Sequence, residues 1–394
     1  MIVALIAFIP VVIWAYLIFG RGGFWLCRER EDAASAPSPD PPGLADLPSV
    51  AAVVPARDEA EAIALSVSSL LKQDFPGRFS IVIVDDQSSD GTADVARSAA
   101  AALGQSERVR IVAGSAPPQG WTGKLWAMRQ GLTVVEASAS SPEFILFTDG
   151  DIAYAPQTLR RLVAVARSTD SVLVSLMAKL RTVSFAECML APAFVFFFQM
   201  LYPFAWANDP GRQTAAAAGG CMLVRRGALA AAGGLETLRD ALIDDCALAA
   251  AMKRRGAIWL GLTDIVRSLR GHPDVADFGR MVARTAFAQL RYSPILLVGA
   301  VAGMAVTYLA PPLFAVFARG AAQAEGVIAW ALMALSFVPM LRFYRQPMIF
   351  SVALPAVAAA YTVFTIESAL QHWRGRGGNW KGRYQASVSR KGSS

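Results

Sequence analysis

Cysteine and histidine are scarce in this 394-residue chain. The four cysteines, Cys27, Cys188, Cys221 and Cys246, lie far apart and form no CxxC pair, so they offer neither a disulfide framework nor a zinc spacing. His272 and His372 are the only histidines, which excludes chemistry built on several imidazole ligands. Charge is thin as well, at 17% of residues against 55% hydrophobic. That balance excludes intrinsic disorder and argues against a purely soluble enzyme. What charge there is leans basic, with a formal net of +7. In so apolar a chain this points to anionic lipid or a phosphate-rich ligand, not to a nucleic-acid groove.

Residues 1–20 carry no charge and then meet Arg21. About 20 residues at a rise of about 1.5 Å span a hydrocarbon core. A cleaved signal peptide is the plainer alternative, but the run has no basic start and is too long. The Ala34-Ser35-Ala36 site also falls well past its end. A retained anchor is therefore expected, and Arg21, Arg28 and Arg30 behind it place the following chain in the cytoplasm. Further uncharged runs cover residues 292–318, 326–341 and 346–366, within a membrane region expected over 293–369. A basic tail, 370–394, carries Arg374, Arg376, Lys381, Arg383, Arg390 and Lys391. Three crossings would put this tail outside, whereas its charge favours the inside, so one run is expected to be re-entrant or interfacial. The candidates are the run broken by Pro311-Pro312 and the short one.

Residues 33–48 are rich in proline and small side chains and read as an extended linker. A domain is expected over 49–292. Apolar strands at 50–54, 80–84, 110–113, 144–148 and 171–177 alternate with helical patterns at 59–72, 92–103, 125–135 and 156–167. Such alternation implies an α/β fold, a mainly parallel sheet with helices on both faces. Ligands bind such sheets beyond the carboxyl ends of the strands.

Carboxylates recur where those ends fall. Pro55-Ala56-Arg57-Asp58-Glu59 follows the first strand and Asp85-Asp86 the second. Ser89 and Asp90 read as turn and N-cap residues, but two acids at a strand end suit a base N–H or a ribose hydroxyl. After the fourth strand comes Asp149-Gly150-Asp151. Two acids flanking a glycine repel each other unless a cation lies between them, and Mg²⁺ or Mn²⁺ suits a few carboxylates plus ligand phosphates. An ordinary polar turn is the alternative. Gly120-Trp121-Thr122-Gly123-Lys124 is not a P-loop, because Pro118 and Leu125 stand where Gly and Ser/Thr belong. Lys124 at a helix start can still meet a diphosphate, or simply be solvated. Asp244-Asp245 opens another helix.

The segments VVPARDEAEAI, IVIVDDQSSDGT, GWTGKLWA, LFTDGD, GGCMLVRR and LIDDCALA resemble, in order and spacing, the successive motifs of family 2 glycosyltransferases with the GT-A fold. With the flanking apolar helices and a WKGRY tail, the whole is most similar to the hopene-associated glycosyltransferases of bacterial hopanoid loci. The resemblance implies that Pro55, Arg57, Glu59 and Asp86 hold the nucleotide's base and ribose and that Lys124 meets its phosphates. It implies a divalent metal, Mg²⁺ or Mn²⁺, on Asp149 and Asp151, with Asp151 the more direct ligand. The family's Glu-Asp pair falls on Asp244-Asp245, the first acid shortened by a methylene, with Asp245 as general base. The Q-x-x-R-W element is degraded: Arg291-Tyr292 stands for its R-W, Ala288 replaces its Gln, and Arg284 is an alternative phosphate contact.

If residues 188–208, a fifth apolar run, crossed the bilayer, the two acid pairs would lie on opposite sides. The run is therefore expected to be interfacial or re-entrant, with a core helix of the domain as the alternative. The expected activity is sugar transfer from a nucleotide-sugar donor, UDP-linked, to a lipid hydroxyl at the bacterial cytoplasmic membrane. A hopanoid is the acceptor that the resemblance implies; polyprenyl phosphate, diacylglycerol or carotenoid are alternatives. A processive polysaccharide synthase and a non-catalytic membrane scaffold compete with it.

Overall fold

The structure is a computed structural model that describes residues 2–32, 48–138 and 141–384. Residues 33–47 of the expected linker and the end of the basic tail with Arg390 and Lys391 lie outside the described residues. Contacts divide the chain into two units. One is made of residues 29–180, 206–270 and 379 onwards; the other is made of 1–28, 181–205 and 271–378.

The first unit is built on eight strands: β1 (Val50–Ala56), β2 (Phe79–Asp85), β3 (Val109–Ala113), β4 (Phe144–Phe147), β5 (Ile152–Tyr154), β6 (Ser171–Lys179), β7 (Met222–Arg225) and β8 (Ala257–Ser268). They lie in the order β3-β2-β1-β4-β7-β6-β8-β5. The pairs β2–β3, β1–β2, β1–β4 and β6–β8 are parallel, while β7 runs antiparallel to both its neighbours and β5 antiparallel to β8. The sequence indicated β1, β2, β3, β4 and β6 but not β5, β7 or β8. Three-residue β5 is too short to read, and β8 mixes Gly261 and Asp264 into an apolar run.

Period-2 geometry sends alternate side chains to opposite faces. Val50, Ala52 and Val54 of β1 join Ile63, Val67 and Leu70 of the helix Ala60–Leu71 in one core. Ala51 and Val53 join Leu125, Met128 and Leu132 of the helix Gly123–Glu136 in the other. Every residue of β1 is buried, which is why it reads as an unbroken apolar run. Pro55 is tolerated in this central strand because β4 pairs no further than Val53, leaving β2 as the sole neighbour at that level. A Cβ at Gly131 would come within 2.5 Å of Val53 Cγ1, so glycine lets this helix sit close on the sheet.

Two further strands, β9 (Asn379–Trp380) and β10 (Arg383–Tyr384), form an antiparallel hairpin that belongs to the sheet unit. Its two-residue turn, Lys381-Gly382, has φ of 48° and 84°, the positive values that a type I′ hairpin demands.

The second unit holds four helices long and apolar enough to cross a membrane: Ile2–Phe19, Pro294–Phe317, Ala321–Phe343 and Met348–Trp373. The run at 326–341 that looked short on sequence lies in a 23-residue helix, because Glu325 and Arg342 are carried at its ends. Pro311-Pro312 does not break its helix; a turn of π-helix at Ala305–Leu309 precedes the prolines and absorbs their missing donors. The mid-chain run folds as the helix Phe185–Leu201, started by a capping box of Ser184 and Glu187, followed after Pro203 by the short helix Phe204–Asn208. At 17 residues it is shorter than the four. Phe196 and Phe197 do not face outward: Phe196 packs on Phe24 and Phe337, Phe197 on Tyr308 and Tyr361, and Tyr361 Oη donates to the Leu190 carbonyl at 2.9 Å.

Candidate active site

Parallel pairing of β1 with β2 and β4 brings their carboxyl ends to one edge of the sheet, with Ala56 level with Asp85. The loops beyond them interlock. Asp90 accepts from the backbone N–H of Thr92 at 3.0 Å and of Ala60 at 2.9 Å, so one acid ties the starts of two helices. Gly91, at φ 83°, takes the N-cap position that the sequence suggested for Asp90 or Ser89. Asp58 accepts from the Ser89 N–H at 2.8 Å.

Asp86 points inward and is fully buried, with Arg57 Nη1 3.8 Å and Arg383 Nη2 3.2 Å from its oxygens. Burial pushes its carboxyl up to about 6, against the pull of the two guanidinium groups. Glu59 is half-buried; Arg270 Nη2 and Lys381 Nζ each lie 3.1 Å from its Oε1. Burial raises this carboxyl too, ahead of the repulsion from Asp151.

Asp149 and Asp151 hang beyond β4. Thr148 fixes the turn: its hydroxyl donates to the Gly220 carbonyl at 3.0 Å, and Tyr154 Oη donates to Thr148 Oγ1 at 2.7 Å. A Cβ at Gly150 would press on Glu59 Cγ at 3.3 Å, so glycine keeps the β1 and β4 loops in contact. Lys124, in the first turn of Gly123–Glu136 behind its N-cap Thr122, reaches across: its Nζ lies 2.8 Å from Asp149 Oδ1 and 3.3 Å from Asp244 Oδ2. Burial disfavours its charge, but Asp149 and Asp244 more than offset this and hold it protonated. Asp151 Oδ2 lies 3.4 Å from Arg270 Nε.

Asp244 and Asp245 open the helix Asp244–Lys253. Asp244 turns to Lys124. Asp245 accepts from the Gly219 N–H at 3.0 Å and from the Cys246 N–H at 2.7 Å. Burial, followed by the neighbouring Asp244 charge, pushes Asp245 up to about 6. The edge thus joins Arg57, Glu59, Asp86, Lys124, Asp149, Asp151, Asp244 and Asp245, at the end of the strand that contains Pro55.

Among the described residues no group of three or more His, Cys, Asp or Glu forms a metal cage. Asp149 and Asp151 nevertheless suit Mg²⁺ or Mn²⁺, which bind through one or two carboxylates with water and ligand phosphates completing the shell. Arg284 and Arg291 belong to the other unit: Arg284 follows the helix Val275–Ala283, Arg291 sits at φ 52° after Ala286–Gln289, and both are exposed. Besides Arg57 and Lys124, the acids pair with Arg270, Lys381 and Arg383, which were not singled out from sequence as donor-site residues. Arg270 follows a strand that went unrecognised, and the other two sit more than 290 residues from the acids they meet.

The sequence model of the family described as "Glycosyltransferase like family 2" matches residues 48–262. The chain belongs to glycosyltransferase family 2. The match covers the sheet as far as the first half of β8 and every acid above, so this family 2 chain is a glycosyltransferase whose sheet unit is an α/β domain of GT-A type. The mannosyltransferase of Pyrobaculum calidifontis, solved in complex with GDP-Man and Mn²⁺, is 19% identical, with 92% of this chain and 99% of that chain covered, at a TM-score of 0.53. That likeness shows the fold. Residues 1–349 of S. aureus TarS match at 16% identity over 83% of this chain and 91% of that chain, with a TM-score of 0.37. The glucosyl-3-phosphoglycerate synthase of Mycobacterium tuberculosis in complex with phosphoglyceric acid matches at 18% identity over 59% and 76%, with a TM-score of 0.36. These two are too loose to carry an argument. The search of curated proteins found no match.

Proposed function

We propose that this glycosyltransferase moves a sugar from a nucleoside-diphosphate sugar to the hydroxyl of a membrane lipid, at the cytoplasmic face of a bacterial inner membrane. The observation that carries the reading is the meeting of Lys124, Asp149, Asp151 and the Asp244-Asp245 pair at one sheet edge, in a chain whose described residues include four long apolar helices. A hopanoid acceptor rests on the resemblance of the motifs and tail, and a UDP-linked sugar on the same ground.

In this reading Arg57, Glu59 and Asp86 line the place of base and ribose. Lys124 holds the diphosphate, and Asp149 and Asp151 hold a Mg²⁺ or Mn²⁺ ion. The ion, when bound, neutralises the charge that builds on the leaving diphosphate. Asp245 accepts the proton of the acceptor hydroxyl as the oxygen attacks the anomeric carbon. The two backbone N–H groups that fix it orient the carboxylate, and its raised pKa keeps it basic enough near neutral pH. Asp244 sets the position of Lys124.

The test is mass spectrometry of lipid extracts from cells with and without the gene, with transfer from labelled UDP- and GDP-sugars to extracted lipids by the full-length protein. Loss of a glycosylated hopanoid supports the acceptor class. An unchanged hopanoid profile with another glycolipid missing would replace it, and transfer that yields long polysaccharide would favour a synthase.

A further inference from the structure

The hairpin β9–β10 lies over the first two strand ends. Arg57 Nε donates to the Lys381 carbonyl at 3.0 Å, and Lys381 Nζ donates to the Asp58 carbonyl at 2.8 Å. Arg383 Nη2 donates to Gln87 Oε1 at 2.7 Å and lies 3.2 Å from Asp86 Oδ1. A Cβ at Gly123 would meet two ring carbons of Trp380 at 3.1 Å, so the indole rests against the start of the Lys124 helix.

Two features mark the contact as unfinished. Arg383 Nη1 and both oxygens of Asp86 are buried with no hydrogen-bond partner. Buried polar groups are almost always paired in a completed site. A nucleobase edge, with an N–H beside a carbonyl or ring nitrogen, would satisfy the acid and the guanidinium together. The charge balance points the same way. Glu59, Asp86, Asp149, Asp151, Asp244 and Asp245 outnumber Arg57, Lys124 and Arg270 by three, and Lys381 and Arg383 cut that excess to one, which lessens the repulsion that an anionic donor would meet.

We propose that the C-terminal hairpin is a wall of the donor site, in which Arg383 shares with Asp86 the binding of the nucleobase edge while Lys381 and Trp380 hold the wall against Glu59 and the Gly123 turn. This rests on the donor site argued above. It makes residues beyond the last apolar helix part of the binding machinery, which the 48–262 family match does not include.

The test uses the full-length protein in nanodiscs with Mn²⁺ and measures affinity for UDP, GDP and inorganic pyrophosphate by calorimetry. Arg383→Ala weakens binding of the preferred nucleoside diphosphate about 10- to 100-fold, as expected for a lost hydrogen bond from a charged group, and Arg383→Lys recovers part of it. Pyrophosphate, which has no base, binds both forms alike. Unchanged nucleotide affinity overturns the proposal, as does a parallel loss for pyrophosphate, which marks a structural role. Tighter binding overturns it as well, because the hairpin would then be a plug. Wild-type protein that binds neither UDP nor GDP would instead bring down the donor site itself.

Discussion

In the sheet unit, charge is gathered at one edge, where each acid has a cation or backbone N–H within reach: Asp149 with Lys124, Asp151 with Arg270, Asp245 with Gly219 and Cys246. The helical unit joins its elements by aromatic edges instead. Trp14 meets Tyr308, and Phe196 meets Phe337, with single hydrogen bonds to carbonyls such as Trp14 Nε1 to Thr307 at 2.9 Å. The first arrangement places a few strong charges with precision while leaving two carboxyls poised near 6. The second fills volume. Substitutions should therefore separate chemistry from assembly, unit by unit.

The largest effect is expected at Asp151. Asp151→Ala removes a metal carboxylate and should abolish transfer and weaken nucleoside-diphosphate binding in Mn²⁺. Full turnover in this variant, or in excess chelator, would refute the metal site. Asp245→Asn keeps shape but removes basicity; donor binding should persist while transfer falls about 10²–10⁴-fold. Asp244→Asn should harm the chemical step less, and the reverse order would exchange the two roles. In wild type at saturating donor, turnover should fall as pH drops through about 6, where Asp245 becomes protonated and can no longer accept a proton. A flat profile from pH 5 to 8 would remove Asp245 from that role.

The helical unit gives a sharper contrast within one helix. Phe197 is 8% exposed among aromatic rings, whereas Phe185 is 75% exposed. Phe197→Glu should prevent the unit from assembling, seen as loss of folded protein on extraction, because it buries an unpaired charge. Phe185→Glu should leave the protein folded and nucleotide affinity unchanged, while lipid transfer falls several-fold. Equal behaviour of the two would erase the distinction between packed and exposed faces. The smallest effect is expected away from all charge: Gly131→Ala, which crowds Val53, should cost about 1–3 kcal/mol of stability in the sheet unit. A melting temperature unchanged by it would mean that the helix can lift off the sheet freely.

Much of this was legible in the sequence where strands are buried on both faces. The runs that became β1 and β4 carry no polar residue and β2 only the exposed Ser80 ahead of its closing Asp85, and the polar residues after each strand fell at the shared edge. Antiparallel β7 went unseen because four residues ending in Arg225 give no alternating pattern. The acids of the edge could be named with Arg57 and Lys124, but not the cations Arg270, Lys381 and Arg383. Arg270 depends on β8 returning beside β5, and Arg383 reaches Asp86 across almost the whole chain. The run at 188–208 stayed open between an interfacial and a core placement for a related reason. An aromatic cluster reads the same whether its rings meet lipid or one another, and only the partners Tyr308 and Tyr361 decide.

The hairpin also keeps count of the membrane. The chain leaves the sheet unit after Arg270 and rejoins it at Asn379, so beside a bilayer both points would share one aqueous compartment. A thread that starts and finishes on the same side of a sheet of cloth has pierced it an even number of times. Three helices of sufficient length lie in between, Pro294–Phe317, Ala321–Phe343 and Met348–Trp373, so in a chain embedded in a bilayer at most two of them would cross. In a bilayer the same parity, applied to the excursion between Leu180 and Trp206, would leave the lone helix Phe185–Leu201 no crossing at all.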